Sequence, residues 1–167
     1  VKGVNVCAMS KLAGCRETCL VWAGRGSFKP VIDARTRKTV LYRDNKQGFM
    51  SMLRGDIYAF IEDCKRFKLK PAIRLNVISD INFLEIIKEF PTVQFYDYSK
   101  ELSRVRKNTL ANYDLTFSGS MYSKQSRAAL RKAVKAGHRI AMAFNTKLIA
   151  SDSLIIPDNL ANFDKTD

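Results

Sequence analysis

Residues 93–117 read VQFYDYSKELSRVRKNTLANYDLTF, and this stretch predicts a strand, a helix and a second strand. In 93–98 and 113–117 apolar and polar side chains alternate, which is the period of a strand. Residues 100–108, between the two, carry most of the charge and are predicted to be helical. Two strands joined by one helix favour parallel pairing through a right-handed crossover.

The same alternation of strand and helix extends in both directions from this stretch. Further strand-like segments are 72–78, 139–144 and 154–156. Further helical segments are 82–89 and 124–136. On the latter, Leu130, Ala133 and Val134 are expected on the apolar side, with Gly137 as the helix end. We therefore predict an α/β fold, either a partial barrel or an open parallel sheet of about four βα units.

A helical, cysteine-bearing region precedes these repeats. Helices are predicted over 30–45 and 47–67, and a short one from Arg16 to Gly24. Apolar side chains share one face of the 47–67 helix, namely Phe49, Leu53, Ile57, Phe60, Ile61, Cys64 and Phe67. Gly55 could divide this helix in two. We expect one domain over 1–167, comprising a cysteine-rich part (1–26), a helical part (27–70) and the βα repeats (71–167), cut from a longer protein.

Polar residues follow each predicted strand at its carboxyl end, where parallel α/β sheets and barrels bind their ligands. The candidates for a small-molecule site are Asn76, Ser79, Asp80, Tyr98, Ser99, Lys100, Ser118, Gly119, Ser120 and Asn145. Because connecting segments are polar in any fold, the alternative is that these are ordinary loop residues.

Three of the four cysteines, Cys7, Cys15 and Cys19, follow the spacing C-x7-C-x3-C. Cys15 and Cys19 are one helical turn apart, so their thiols can face the same side. Three thiolates can bind an iron–sulphur cluster such as 4Fe–4S, or a zinc ion completed by a further ligand such as His138. A structural or disulfide role without metal is the alternative. We expect Cys64 to be a buried free thiol.

The chain carries 29 Lys and Arg against 16 Asp and Glu, a formal net charge of +13. Most of the excess lies in 25–46 and 124–139, and the second segment contains no acidic residue. This balance favours a polyanionic partner, nucleic acid above all. The candidate phosphate-contacting residues are Arg35, Lys38, Lys124, Arg127, Arg131 and Lys135. A solvated helix face without a partner is the alternative.

Several classes of protein are disfavoured. There is one histidine and no nucleophile elbow, which argues against a Ser-His-Asp hydrolase. The chain has no glycine loop of the P-loop or Rossmann type. No apolar stretch approaches the ~20 residues that span a bilayer, and no basic-then-apolar leader is present. We expect a cytoplasmic protein that does not bind membranes and keeps its thiols reduced. The oligomeric state does not follow from the sequence.

The order of these motifs resembles the phage gene product 88 family. The resemblance is carried by CA at 7–8, GCRETC at 14–19, GRG at 24–26, RLNVISD at 74–80, FYDYSK at 95–100 and LTFSGS at 115–120. It implies a layout similar to a reduced radical-SAM half barrel, with a cysteine triad ahead of the strands, in a protein of the host cell cytoplasm. The triad spacing differs from the C-x3-C-x2-C of radical-SAM enzymes, and this difference argues against SAM as a ligand.

Two main hypotheses follow, and they leave open whether the protein is an enzyme. The first is a phage-type, radical-SAM-like iron–sulphur protein that acts on nucleic acid or a nucleotide. The second is a nucleic-acid-binding module whose cysteines hold a structural metal, without catalysis. A structural or host-interaction protein with packed cysteines is a third possibility.

Overall fold

The computed structural model describes residues 4–16 and 19–143. In order along this part of the chain, the helices and strands are α1 Lys29–Asp44, α2 Lys46–Arg66, β1 Ala72–Ile73, α3 Leu84–Glu89, β2 Gln94–Ser99, α4 Leu102–Lys107, β3 Tyr113–Ser118, α5 Lys124–Lys135 and β4 Ile140–Ala141. The predicted helix from Arg16 to Gly24 is wrong. Two short 3-10 turns, Leu20–Trp22 and Gly24–Ser27, occupy this region, and Gly24 adopts a φ of +51, outside the helical range.

The strands form one parallel sheet in the order β1-β2-β3-β4, which confirms the predicted α/β fold. Consecutive strands are neighbours throughout, as in a segment of a barrel, whereas a doubly wound sheet reverses its strand order. β1 and β4 have only two residues each, so the strands predicted over 72–78 and 139–144 are too long. Beyond β1 the ladder is interrupted, since the amide of Asn76 donates to the side chain of Asp97 and not to the main chain of β2. Residue 144 and the strand predicted at 154–156 lie outside the described residues.

Four of the helices, α2, α3, α4 and α5, pack on one face of this sheet. Along β2, Phe95, Asp97 and Ser99 are buried, while Tyr96 and Tyr98 on the other face each keep 41% of their surface exposed. The buried face belongs to a core to which α2, α3, α4 and α5 all contribute, including Met50, Ile57, Ile86, Ile87, Val105, Leu130 and Ala133. Burying one such aliphatic side chain contributes roughly 1.5–3 kcal/mol to stability.

α2 runs as one continuous helix through Gly55, so the predicted division there is wrong. Asn45 caps its start by accepting the amide of Gly48 at 2.8 Å. The free thiol of Cys64 is buried in the helix, as predicted. Phe60 and Phe67 were placed on the same face by spacing alone, but they are 43% and 66% exposed. Phe60 lies at the margin of the buried stripe, and Phe67 follows the last helical residue.

α5 begins at Ser123, whose hydroxyl accepts the amide of Ser126 at 3.1 Å. Leu130 and Ala133 are buried as predicted, but Val134 is 58% exposed and its predicted place on the apolar side is wrong. Because each helical residue turns by about 100°, Val134 lies about a quarter of a turn from the centre of the buried face. None of the helices in the described ranges is long and apolar enough to cross a bilayer.

Candidate site at the carboxyl edge of the sheet

The cysteine-bearing N-terminal segment runs across the carboxyl edge of the sheet. The main-chain amide of Asp80, in the loop after β1, donates to the carbonyl oxygen of Val6 at 2.7 Å. The hydroxyl of Ser120, in the loop after β3, donates to the carbonyl oxygen of Ala13 at 2.7 Å. These bonds bring the segment that contains Cys7 to the edge where parallel sheets bind ligands.

A close contact between Gly14 and Tyr122 fixes the same segment next to Cys15. Gly14 has a φ of +68, and a Cβ on it would lie 2.3 Å from Cγ of Tyr122. Only glycine fits such a position. The hydroxyl of Ser126, in the first turn of α5, also donates to the carbonyl oxygen of Leu12 at 2.7 Å. The segment is therefore held by the loop between β3 and α5 and by the first turn of α5.

The thiols of Cys7, Cys15 and Cys19 are free and half-buried. Burial above all, together with the charges of Asp80, Cys15 and Cys19, raises the pKa of the Cys7 thiol to about 11, against a lowering effect of Lys100. The three thiols thus share one electrostatic environment with two of the predicted strand-end residues. Within the described residues, no group of three or more His, Cys, Asp or Glu side chains is placed to hold a metal ion.

Asp80 is the centre of a buried polar network at this edge. Its carboxylate accepts the hydroxyl of Ser99 at 3.1 Å and the amide of Lys100 at 3.0 Å. It also pairs with Arg104, and the two side chains are only 7% and 9% exposed. The ammonium of Lys100 continues the network by donating to the hydroxyl of Ser118 at 3.1 Å. The network therefore joins residues from the ends of three strands.

Asn76 and Asp97 form a second buried pair. The amide and Nδ2 of Asn76 donate to the Asp97 carboxylate at 3.1 and 3.0 Å, and Oδ1 of Asn76 accepts the hydroxyl of Ser79 at 2.7 Å. Burial raises the pKa of Asp97 to about 6, although the bonds from Asn76 and the charge of Arg74 act in the opposite direction. The sequence does not single out Asp97 or Arg104, but the alternation in β2 already places Asp97 on the side of Phe95.

The structure brings most of the predicted small-molecule residues to this edge, where their polar groups are bonded within the protein. The gathered residues are Asn76, Ser79, Asp80, Ser99, Lys100, Ser118 and Ser120. Gly119 is buried against Leu130, Tyr98 lies on the opposite sheet face, and Asn145 lies outside the described residues. A cavity of about 30 Å³ between Met9 and Lys100 has room for a water molecule. A larger ligand at this edge stays a prediction.

A model of the gene product 88 family, compared with the chain, matches residues 1–164. The chain belongs to the gene product 88 family. No curated protein and no solved structure matches it. The matched range includes the cysteines, all four described strands and the loops that follow them, so the resemblance seen in the sequence motifs is confirmed.

Some of the predicted phosphate-contacting residues of this gene product 88 chain donate to main-chain carbonyl oxygens, and others are exposed. The guanidinium of Arg35 donates to the carbonyl oxygen of Gly26 at 2.6 Å, so it holds a 3-10 turn in place. Arg127 donates to the carbonyl oxygen of Met121 at 3.1 Å. The other predicted phosphate contacts are Lys38, Lys124, Arg131 and Lys135, of which the lysines are exposed. In the predicted row on α5, Lys124 and Lys135 are exposed, whereas Arg127 and Arg131 are half-buried.

His138 precedes β4, at the amino edge of the sheet. Because the strands are parallel, this edge is opposite the one that the cysteine segment crosses. His138 is therefore not placed to complete a metal site with the three thiols.

Proposed function

We propose that this gene product 88 protein is an iron–sulphur protein in which Cys7, Cys15 and Cys19 bind the cluster. The observation that carries the proposal is that hydrogen bonds from Asp80 and Ser120 to the carbonyl oxygens of Val6 and Ala13 hold the cysteine-bearing segment across the carboxyl edge of the sheet. Three thiolates leave one iron of a 4Fe–4S cluster without a protein ligand. That iron would face the strand ends.

The donor set suits this cofactor. Thiolates select iron–sulphur clusters and zinc, and no histidine is placed among them. Among the described residues, the three thiols are not arranged around a common point where an ion could bind. Cluster binding would bring the thiols together and remove the proton from Cys7. The substrate that we propose is nucleic acid or a nucleotide in the host cytoplasm, supported by the net charge of +13.

Anaerobic reconstitution with ferrous iron and sulphide tests the cluster. We expect a brown protein that absorbs near ~400 nm and holds about three or four iron atoms per chain. Cys7→Ala, Cys15→Ala and Cys19→Ala should each lose most of the iron. Cys64→Ala is the matched control because Cys64 is buried in α2. A colourless, iron-free protein, one zinc ion per chain in place of iron, or equal losses in the control would contradict the proposal.

Nucleic-acid binding through α5, with a structural metal at the cysteines, is the second candidate function. The observation in its favour is the row of basic side chains along α5, of which Lys124 and Lys135 are exposed, in a segment (124–139) that contains no acid. Affinity should fall steeply with salt, and Arg127→Gln with Lys135→Gln should weaken binding to all sequences alike. Lys65→Gln, an exposed lysine of α2, is the control. The absence of DNA and RNA binding at low salt would reject this function.

A further inference from the structure

The sheet face opposite the helices carries a second candidate site, away from the cysteines. Tyr96 and Tyr98 project from this face of β2. Their partners across the ladder, on β3, are Asp114 and Thr116. Arg139, immediately before β4, pairs with Asp114. Three adjacent strands therefore place two aromatic rings, a hydroxyl and an ion pair on one surface.

These side chains line a cavity of about 230 Å³. Pockets that enclose a whole drug-sized ligand measure roughly 300–1,000 Å³. Because the space here is smaller and both tyrosine rings remain 41% exposed, it suits one flat ring that rests on the sheet with the rest of its molecule outside.

The chemistry of the lining matches a nucleobase better than a phosphate. The guanidinium of Arg74 lies 4.8 Å from the centre of the Tyr98 ring, which adds positive charge to an aromatic surface. Carboxylates and guanidinium groups occur together around the cavity, since Asp114 stands beside Arg139. Because the carboxylate of Asp114 offsets the charge of Arg139, attraction of a phosphate is weakened there, whereas the edge of a base presents both donors and acceptors.

We propose that this face binds single-stranded nucleic acid by stacking a base on Tyr96 and Tyr98. Exposed aromatic side chains on a sheet are how several single-strand-binding domains hold bases, and the stacking tolerates any sequence. The phosphates outside the cavity would be attracted by the overall charge of +13. The proposal rests on the second candidate function in one respect, since both name nucleic acid as the class of partner. The two sites differ, because this one lies on the sheet face and not on α5.

Fluorescence anisotropy with labelled oligothymidine and oligouridine tests the face in the full chain. The double variant Tyr96→Leu/Tyr98→Leu should bind about tenfold or more weakly, because the stacking surface is lost, while the slope of affinity against salt stays unchanged. Tyr96→Phe/Tyr98→Phe keeps the rings and should bind like the wild type. Tyr58→Leu, which removes an exposed tyrosine from α2, should also bind like the wild type.

Photocrosslinking with a 5-iodouracil oligonucleotide gives an independent readout in the unmutated protein. We expect the crosslinked peptide to contain Tyr96 or Tyr98. The proposal is overturned if no strand binds at low salt, if the leucine variant binds like the wild type, or if crosslinks map only to α5. It also fails if mononucleotides bind and strands do not, or if a dimer in solution protects both tyrosines. The iron content of the leucine variant is measured in parallel. If this variant keeps its iron, its nucleic-acid binding reports on the sheet face alone and not on the cluster proposal.

Discussion

Asp80 donates its main-chain amide to the carbonyl oxygen of Val6 at 2.7 Å. Its carboxylate at the same time pairs with Arg104 and accepts the hydroxyl of Ser99. One residue therefore joins the N-terminal segment, the loop after β1 and α4. Since Cys7 follows Val6 directly, the position of the first thiol depends on this loop.

Asp80→Ala should lower the free energy of unfolding by about 3–5 kcal/mol, because it leaves Arg104 buried without a carboxylate partner. Asp114→Ala is a matched control, since it breaks a pair whose side chains are 41% and 69% exposed. It should cost about 1 kcal/mol or less. Denaturant unfolding measures both losses of unfolding free energy. Equal losses would contradict the prediction, because the buried Asp80–Arg104 pair would then contribute no more than the exposed pair.

Gly14→Ala should disturb the cysteine segment more than Gly24→Ala. Both glycines have positive φ, +68 and +51, so both variants carry the backbone cost of about 1–2 kcal/mol. A Cβ at Gly24 meets nothing within 4 Å, whereas one at Gly14 strikes the Tyr122 ring. Unfolding curves and iron per chain after reconstitution compare the two. Tyr122→Ala in the Gly14→Ala background should restore part of the loss, and a failure of this rescue counts against the contact.

Cys7 should react slowly with iodoacetamide in the metal-free protein, because the thiolate is the nucleophile and its pKa is raised to about 11. At pH 8 we expect about a tenfold or greater slowing relative to the same residue in the denaturant-unfolded chain. The difference should shrink as the pH rises, which separates the pKa effect from restricted access. Mass spectrometry of the alkylated peptides follows the rate. A native rate that matches the unfolded one excludes the raised pKa.

The pKa of Asp97, raised to about 6, makes stability depend on pH. The unfolded chain loses this proton near pH ~3.9, so between that value and pH 6 the folded state binds more protons. The free energy of unfolding therefore falls as the pH rises through this window, by about 3 kcal/mol at most. Unfolding of the wild type and of Asp97→Asn across the window measures the difference. Parallel pH profiles would mean that Asp97 does not titrate there.

The central part of the fold follows from the sequence because its signals are local. In β2 and β3 alternation over six residues identifies each strand, and the crossover helix between them fixes parallel pairing. The outer strands are shorter than predicted, and beyond β1 the ladder is interrupted by the bond between Asn76 and Asp97, which are far apart in the sequence. No local pattern contains that bond.

The candidate site, too, can be predicted only in part from the sequence. Topology alone predicts that polar residues after successive strands share one edge, and Asp80, Lys100 and Ser118 do meet there. That they bond to one another depends on distances between loops, which the sequence does not contain. The alternation in β2 puts Tyr96 and Tyr98 on one face, but only the packing of the helices shows that this face is the open one.

The hydrogen bonds that anchor the cysteine segment can form only late in the synthesis of the chain. Ser120 and Ala13 are 107 residues apart, and Ser126 and Leu12 are 114 apart. A ribosome that adds ~5–20 residues per second makes the thiols roughly 5–20 s before the hydroxyls that fix their segment. During this interval the cysteines are open to metal donors and to oxidants. If the cysteines bind iron as proposed, iron delivered during synthesis would meet accessible thiols, whereas iron delivered to the finished chain would meet a segment already held against the sheet.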